Sequence, residues 1–385
     1  MPSYQCLGQV PHKRHTQFRK PDGSLYAEEL FGEEGFSGCY SLLYHQQPPT
    51  RVSRIERYGA ECRQEWPQEL HRHHHFKTKE LEPGGDPITG RRLLMYNNDC
   101  TISIVCPTER MDYFYRNAMG DEMLFVHQGS GALETTFGTL PYGEGDYLVL
   151  PRGTTWRVQP DEGEQRFLVV EAFGGAIQPP KRYRNEYGQL LEHSPYCERD
   201  LRGPAELPRH EETGEFEVRV KVNGEIMRYY FGFHPLDVVG WDGYLYPYAF
   251  NIADFEPITG RVHQPPPVHQ TFEGPNFVVC SFCPRKLDYH PLSVPVPYNH
   301  SNIDSDEMIY YVSGDFGSRK GIEISSITLH PRGIPHGPHP GTVEKSLGAE
   351  RTEELAVMVD TFRPLKLAAD AERLDDPQYP FSWLG

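Results

Sequence analysis

Between residues 298 and 340 the chain carries His300, Glu307 and His336 at the ends of short apolar runs divided by Pro and Gly turns. One half reads Tyr298-Asn-His300-Ser-Asn-Ile-Asp-Ser-Asp306-Glu307; the other reads Leu329-His330-Pro-Arg-Gly-Ile-Pro-His336-Gly-Pro-His339. Two imidazoles and one carboxylate on one face of a metal ion leave its other positions open. Non-haem Fe(II) oxygenases need those positions, because substrate and O₂ must both reach the ion. Zn²⁺ and Mn²⁺ take the same donor types. Each residue taken singly also fits a hydrogen-bonded strand end; the order of all three favours the metal. His269, His330 and His339 supply further imidazoles that titrate near neutrality and suit proton handling. His263 and His290 have no such pattern around them.

Such a site needs strands to hold it, and comparing the chain with itself locates them. Gly120-Asp121-Glu122-Met-Leu-Phe-Val-His-Gln-Gly129 matches Ser305-Asp306-Glu307-Met-Ile-Tyr-Tyr-Val-Ser-Gly314. Pro151-Arg-Gly-Thr-Thr-Trp156 then matches Pro331-Arg-Gly-Ile-Pro-His336. The repeated pair of motifs is the pattern of a cupin, a small antiparallel β-barrel, so the expected fold is an all-β bicupin with an N-terminal arm and few short helices. The copies differ at the chemistry. Copy one keeps Glu122 but has Tyr115 and Trp156 where copy two has His300 and His336, and a Trp cannot ligate a metal, so copy one is read as structural. The expected organisation is an arm with scaffold strands over 1–90, a metal-free cupin and long connection over 91–215, and a metal-bearing cupin over 216–385.

Composition agrees with short strands between turns. Gly 36 and Pro 35 punctuate the chain, while Tyr 23 and Phe 20 are too many for a disordered one. A net charge of −16 argues against nucleic acid as a partner. No apolar run reaches the length of a membrane span, and residues 1–8 lack the apolar core of a signal peptide, so a cytoplasmic protein is expected. The eight cysteines follow no zinc spacing and should be free thiols; Cys280-Ser-Phe-Cys283 reads as part of a buried strand. His71-Arg-His-His-His75 cannot all face one ion, since strand residues alternate faces, and reads as a solvated loop or surface patch. Residues 24–38 suggest a helical turn and a loop. Residues 175–215 read as a connection wrapped over the scaffold or a subunit contact, and a short helix is expected near 365–373.

The motifs resemble the homogentisate 1,2-dioxygenase family along nearly the whole chain. The matching stretches are Ser24-Leu-Tyr-Ala-Glu-Glu-Leu30, His234-Pro-Leu-Asp-Val-Val-Gly-Trp241 through Tyr248, Pro297-Tyr-Asn-His300-Ser-Asn, Leu329-His330, Pro335-His336-Gly-Pro and Glu344-Lys-Ser346. The resemblance implies Fe(II) on His300, Glu307 and His336, an acid–base His269, and Tyr298 and His330 beside a small aromatic substrate. It implies O₂-dependent ring cleavage of homogentisate to maleylacetoacetate in tyrosine and phenylalanine breakdown, and a homo-oligomer, trimer or hexamer. Three features depart from the family pattern: one extra residue between His300 and Glu307, Asn299 in place of a tyrosine, and Phe316 where a substrate-contacting tyrosine is common. A gentisate-like substrate, a non-catalytic metal- or ligand-binding bicupin and a cupin isomerase are the alternatives.

Overall fold

The computed structural model describes residues 3–61, 63–314, 316 and 321–384. Its chain is almost entirely strands and turns, arranged as a bicupin. The strands are runs such as Asp146–Leu150 and Arg166–Phe173, apolar on both faces, which can be stable only between two other layers.

Three layers result. An outer seven-stranded sheet includes Phe114–Asn117, Gly131–Thr135, Thr155–Pro160, Thr213–Val222 and Glu225–Phe233. A middle eight-stranded sheet is centred on Gly120–Gln128, Asp146–Leu150 and Arg166–Phe173. A six-stranded sheet follows in the order Gln270–Gly274, Phe277–Phe282, Leu355–Thr361, Asp306–Ser313, Ile327–His330 and His74–Phe76. Outer and middle sheets close over Tyr115, Leu124, Val126, Leu148, Trp156, Val158 and Val169, filling the interior of copy one. The other face of the middle sheet packs on the six-stranded sheet through Met123, Phe125, Tyr147 and Val170 against Phe272, Val279, Met308, Tyr310 and Val357. Each such buried side chain contributes about 1.5–3 kcal/mol relative to exposure, so this seam joins the two copies into one core.

Sheet membership does not change at residue 216, the boundary expected from sequence. Thr213–Val222, Glu225–Phe233 and Tyr248–Asn251 all pair into the sheets of copy one, and the sheet that carries the site begins at Gln270. Chain order and spatial partners separate here because an antiparallel sheet accepts any strand with a matching face. Two further corrections concern the N-terminal third. Ala27–Gly32 is a strand, and the helical turn of this stretch is the 3-10 turn Glu34–Phe36; the strand pairs with Tyr40–His45 in a four-stranded sheet with Val238–Gly243 and Gln5–Gly8. His73, His74 and His75 are buried, and His74–Phe76 forms the edge of the site-bearing sheet by pairing with Ile327–His330. The expected loop or surface patch is therefore part of the scaffold, although His71 itself is exposed.

The connection over 175–215 wraps onto copy two: Gln178 and Glu273 exchange backbone hydrogen bonds, and the Tyr196 hydroxyl donates to the Thr271 carbonyl. The expected C-terminal helix is the single turn Ala369–Glu372. Seven described cysteines are free, including Cys280 and Cys283 on and beside a buried strand; Cys62 lies outside the described residues.

Candidate metal centre

The two copies build their site corners with the same hydrogen bonds. In each, the Asp before the Glu accepts from the arginine N–H of the Pro-Arg-Gly turn: Asp121 Oδ1 from Arg152 at 3.0 Å, Asp306 Oδ1 from Arg332 at 2.9 Å. The turn glycines, Gly153 and Gly333, have φ of 86° and 76°, which favour a residue without Cβ. Their N–H groups donate to the carbonyls of Asn117 and Asn302 at 2.8 and 2.7 Å. The turns therefore deliver Trp156 opposite Tyr115 and His336 opposite His300.

In copy two, His300 and His336 exchange both backbone hydrogen bonds at 2.8 Å, so their side chains project side by side with ring centroids 4.2 Å apart. Gly337 permits the approach, since a Cβ there would sit 2.4 Å from Asn299 Oδ1. Glu307 enters from the neighbouring strand, with Oε2 3.6 Å from His300 Nε2 and Oε1 3.3 Å from His336 Nε2. Among the described residues, His300, Glu307 and His336 are thus brought together with one ligand atom each, all within 4.8 Å of one another.

The donor set fits a divalent metal. His336 Nδ1 faces the Ile334 carbonyl at 3.3 Å and carries the proton there, leaving the Nε2 lone pair facing Glu307. His336 Nε2 and His300 Nδ1 are buried without hydrogen-bond partners. An orphaned buried nitrogen is costly, and coordination at His336 Nε2, the one of the two that faces Glu307, would satisfy it. Burial opposes ionisation of Glu307, but the three imidazoles that face it, His300, His330 and His336, outweigh it and hold the carboxyl well below its ordinary range. The group is an anion, as a ligand must be.

Copy one shows what replaces a metal. Arg91 Nη1 donates to Glu122 at 2.6 Å and lies 3.7 Å from Glu171, while the Tyr115 and Trp156 rings pack edge to face at 5.4 Å. Lys221, Thr101 and Asn117 donate to Glu171. A guanidinium supplies the positive charge and two aromatic rings fill the volume.

The remaining predicted residues fall in different places. Tyr298 is 43% exposed, its ring 5.8 Å from His300 and 5.2 Å from His263, so His263 reaches the rim of the site although its sequence context carried no signal. His330 is fully buried: Nδ1 bonds Glu307 Oε1 at 2.7 Å and Nε2 bonds the Tyr379 hydroxyl at 3.1 Å. Both ring nitrogens are engaged within the protein, so in this arrangement it braces the carboxylate and presents no nitrogen to a substrate. His269 is buried against the Phe282 ring at 4.8 Å, four residues along Phe277–Phe282 from Val278, whose partner Asp360 faces Glu307. Four strand residues span roughly 13 Å, which places His269 at the far end of the face that carries Glu307. Its Nδ1 has no hydrogen-bond partner, and burial, then Arg285 and His263, lower its pKa to about 3. Between the two ends lie Val278, Cys280, Ile309, Tyr311, Phe316 and Met358, an apolar cluster on one side of the sheet. Phe316 packs on Tyr311 at 4.8 Å; the Tyr311 hydroxyl pairs with Thr328, and Tyr310 points into the seam to bond His127. Residues 315 and 317–320 lie outside the described residues. His339 bonds Ser382 at 2.7 Å and stacks on Trp383 at 4.4 Å, a structural partnership.

A family model described as "Homogentisate 1,2-dioxygenase N-terminal" matches residues 6–252. The chain belongs to the homogentisate 1,2-dioxygenase family. A Saccharolobus solfataricus protein provisionally named as a dioxygenase is 45% identical over 99% of this chain and 98% of its own. The homogentisate 1,2-dioxygenase of Bradyrhizobium diazoefficiens is 28% identical over 71% of this chain and 63% of that protein. Among solved structures, a cupin 2 conserved barrel domain protein from Leptotrichia buccalis matches 77% of this chain and 99% of its own, with 10% identity and a TM-score of 0.33. The family is one of dioxygenases, and the chain is an oxidoreductase of that type. Sequence reasoning missed His73, Asp360, Tyr379 and Trp383, which surround the triad. Asp360 flanks Glu307 through strand register, and the other three arrive from the two ends of the chain. Of the four, only His73 lies in a local motif, the His71–His75 run.

Proposed function

We propose that this protein is an Fe(II)- and O₂-dependent ring-cleaving dioxygenase that converts homogentisate to maleylacetoacetate in tyrosine and phenylalanine breakdown. The observation that carries the reading is the juxtaposition of His300, Glu307 and His336 beside the apolar face ending at His269. Held by that triad, Fe(II) would supply adjacent open positions where a ring oxygen and O₂ can meet.

The chain's own residues do the rest. Glu307 stays ionised and fixed by His330, so the three donors converge without rearrangement. Val278, Ile309, Tyr311 and Met358 exclude water from one side and offer a surface that suits an aromatic ring. Burial keeps His269 a neutral imidazole at physiological pH, and its unpartnered Nδ1 would accept a hydrogen bond from a ring hydroxyl and orient it. Tyr298 at the rim would contact the substrate, a role its 5.8 Å ring distance from His300 supports. Family resemblance supports a trimer or hexamer, readable by light scattering, and a cytoplasmic location.

A second reading has its own observation. With Phe316 packed on Tyr311 and the Tyr311 hydroxyl engaged by Thr328, these residues make an apolar wall, which would also suit a gentisate-like hydroquinone. Anaerobic loading with Fe(II), then addition of homogentisate and air while following O₂ uptake and maleylacetoacetate absorbance, separates the cases. Uptake with gentisate alone supports the second substrate. No uptake with any hydroquinone, despite bound iron, overturns the dioxygenase reading in favour of a non-catalytic metal-binding bicupin.

A further inference from the structure

The end of the chain folds back onto the metal centre. We infer that Tyr379 and His330 form a positioning relay that fixes the Glu307 carboxylate for metal binding; this rests on the assignment of His300, Glu307 and His336 as ligands.

Geometry sets the direction of the relay. Glu307 is an anion and can only accept, so His330 Nδ1 must carry the proton of the 2.7 Å contact with Oε1. In the neutral imidazole Nε2 is then the acceptor, and the Tyr379 hydroxyl donates to it across 3.1 Å. The bond from His330 occupies one lone-pair direction of Oε1. Asn302 Nδ2 approaches Oε2 at 3.4 Å. With both oxygens restrained, the remaining lone pairs are aimed between His300 and His336.

Tyr379 is itself held firmly. Its N–H donates to the Asp376 carbonyl at 3.1 Å, and the Asp376 N–H donates to the His75 carbonyl at 2.8 Å, tying the terminal turn to the sheet edge. At the other end of that turn, Trp383 Nε1 donates to the Gly337 carbonyl at 3.1 Å, one residue after the ligand His336. The terminal turn Tyr379–Leu384 is therefore pinned to the same loop that presents a ligand, and His330 lies between them with its ring 4.4 Å from that of His336.

Copy one provides an internal control. The strand partner of Glu307 is His330; the equivalent partner of Glu122 is Leu150. The copy that has Tyr115 and Trp156 at the ligand positions also lacks the imidazole, and its carboxylate is fixed by Arg91 instead. Within one chain, the relay accompanies the ligands. Hydrogen-bond partners of metal-binding groups set ligand orientation, and their loss commonly costs metal affinity.

The test is calorimetric titration of the full-length apo protein with Mn²⁺, and with Fe²⁺ under anaerobic conditions. Tyr379→Phe keeps the ring and removes only the donor; it should weaken metal binding roughly 10- to 100-fold while the apo melting temperature stays close to wild type. His330→Leu should weaken binding at least as much. His330→Asn, which can place an amide N–H near the Nδ1 position, should recover a large part of that loss. Tyr379→Phe combined with His330→Leu should be no worse than His330→Leu alone, because Tyr379 acts through His330. Wild-type affinity in Tyr379→Phe, or additive losses in the double variant, would overturn the relay. If the unmodified protein itself binds neither ion, the ligand assignment fails first and the relay with it, an outcome distinct from a metal-binding protein indifferent to Tyr379.

Discussion

At the scale of single residues, the contrast between His336 and Trp156 organises the molecule's chemistry. Both sit at the end of a Pro-Arg-Gly turn and face the same partner position, yet only one is a donor. Replacing His336 with Ala removes one of the three proposed ligands, and metal analysis of the purified variant should show iron at background level. The converse change does not build a site. In Trp156→His, Arg91 still bonds Glu122 at 2.6 Å and Tyr115 still stands where His300 stands in copy two. Metal stoichiometry in that variant should stay at the wild-type value; a second equivalent of tightly bound iron would contradict the account of Arg91 as the replacement charge. Trp156→His should also lower stability by about 3 kcal/mol or more, measured by denaturant unfolding, because a large fully buried ring is lost from a filled interior. His330 teaches the limit of reading residues singly: its type suits proton handling, but its two hydrogen bonds commit it to Glu307 and Tyr379.

At the scale of elements, the N-terminal sheet contains a charged group whose titration should be visible. His45, on Tyr40–His45, is buried between Asp237 at 2.7 Å and Glu29 at 2.9 Å. Burial disfavours its charge, but the hydrogen bonds it donates to Asp237 and Glu29 outweigh that and raise its pKa to about 9. Its folded pKa lies above the unfolded value near 6.5, so the stabilisation is fully present below that value and is lost as pH rises through about 9. The melting temperature of the apo protein should fall between pH 7 and 9.5, and His45→Gln should flatten that part of the profile. An unchanged slope in the variant would show that other groups govern the alkaline limb. The same scale explains the His71–His75 stretch. Its histidines alternate faces as strand residues do, and they are nevertheless near the site: His74 bonds Asp375, His75 bonds Ser326, and His73 packs 5.9 Å from His336. Alternating faces keep them from sharing one ion but do not put them in solvent, because a short edge strand can be buried on both faces.

At the scale of the whole molecule, the seam between the middle and six-stranded sheets makes the two cupins one cooperative unit. Met308 and Val359 on one side and Met123 and Val170 on the other are fully buried in a single core. Met308→Ala, one residue from the ligand Glu307 but facing the seam, should cost about 2–5 kcal/mol. Calorimetry should still show one unfolding transition, shifted down. Two separated transitions would mean that the copies unfold independently and that the seam contributes less than its burial implies.

What the sequence determined by itself follows from local physics. Strand alternation, Gly-bearing turns and the doubled D-E-M and P-R-G motifs are short-range features, and they were sufficient for the bicupin fold and for the three residues that converge, His300, Glu307 and His336. Each lies at a strand end or turn whose geometry is set within a few residues. What only the tertiary structure decided is which distant side chains complete the site. Arg91 in place of an ion, Asp360 beside Glu307, and Tyr379 and Trp383 folding back from the C-terminus depend on strand register and on contacts between residues tens to hundreds of positions apart. The strand shared with copy one after residue 216, and the burial of His73–His75, are decided in the same way. Such pairings leave no periodic trace in the chain, because a sheet fixes its partners by face and edge and not by sequence distance.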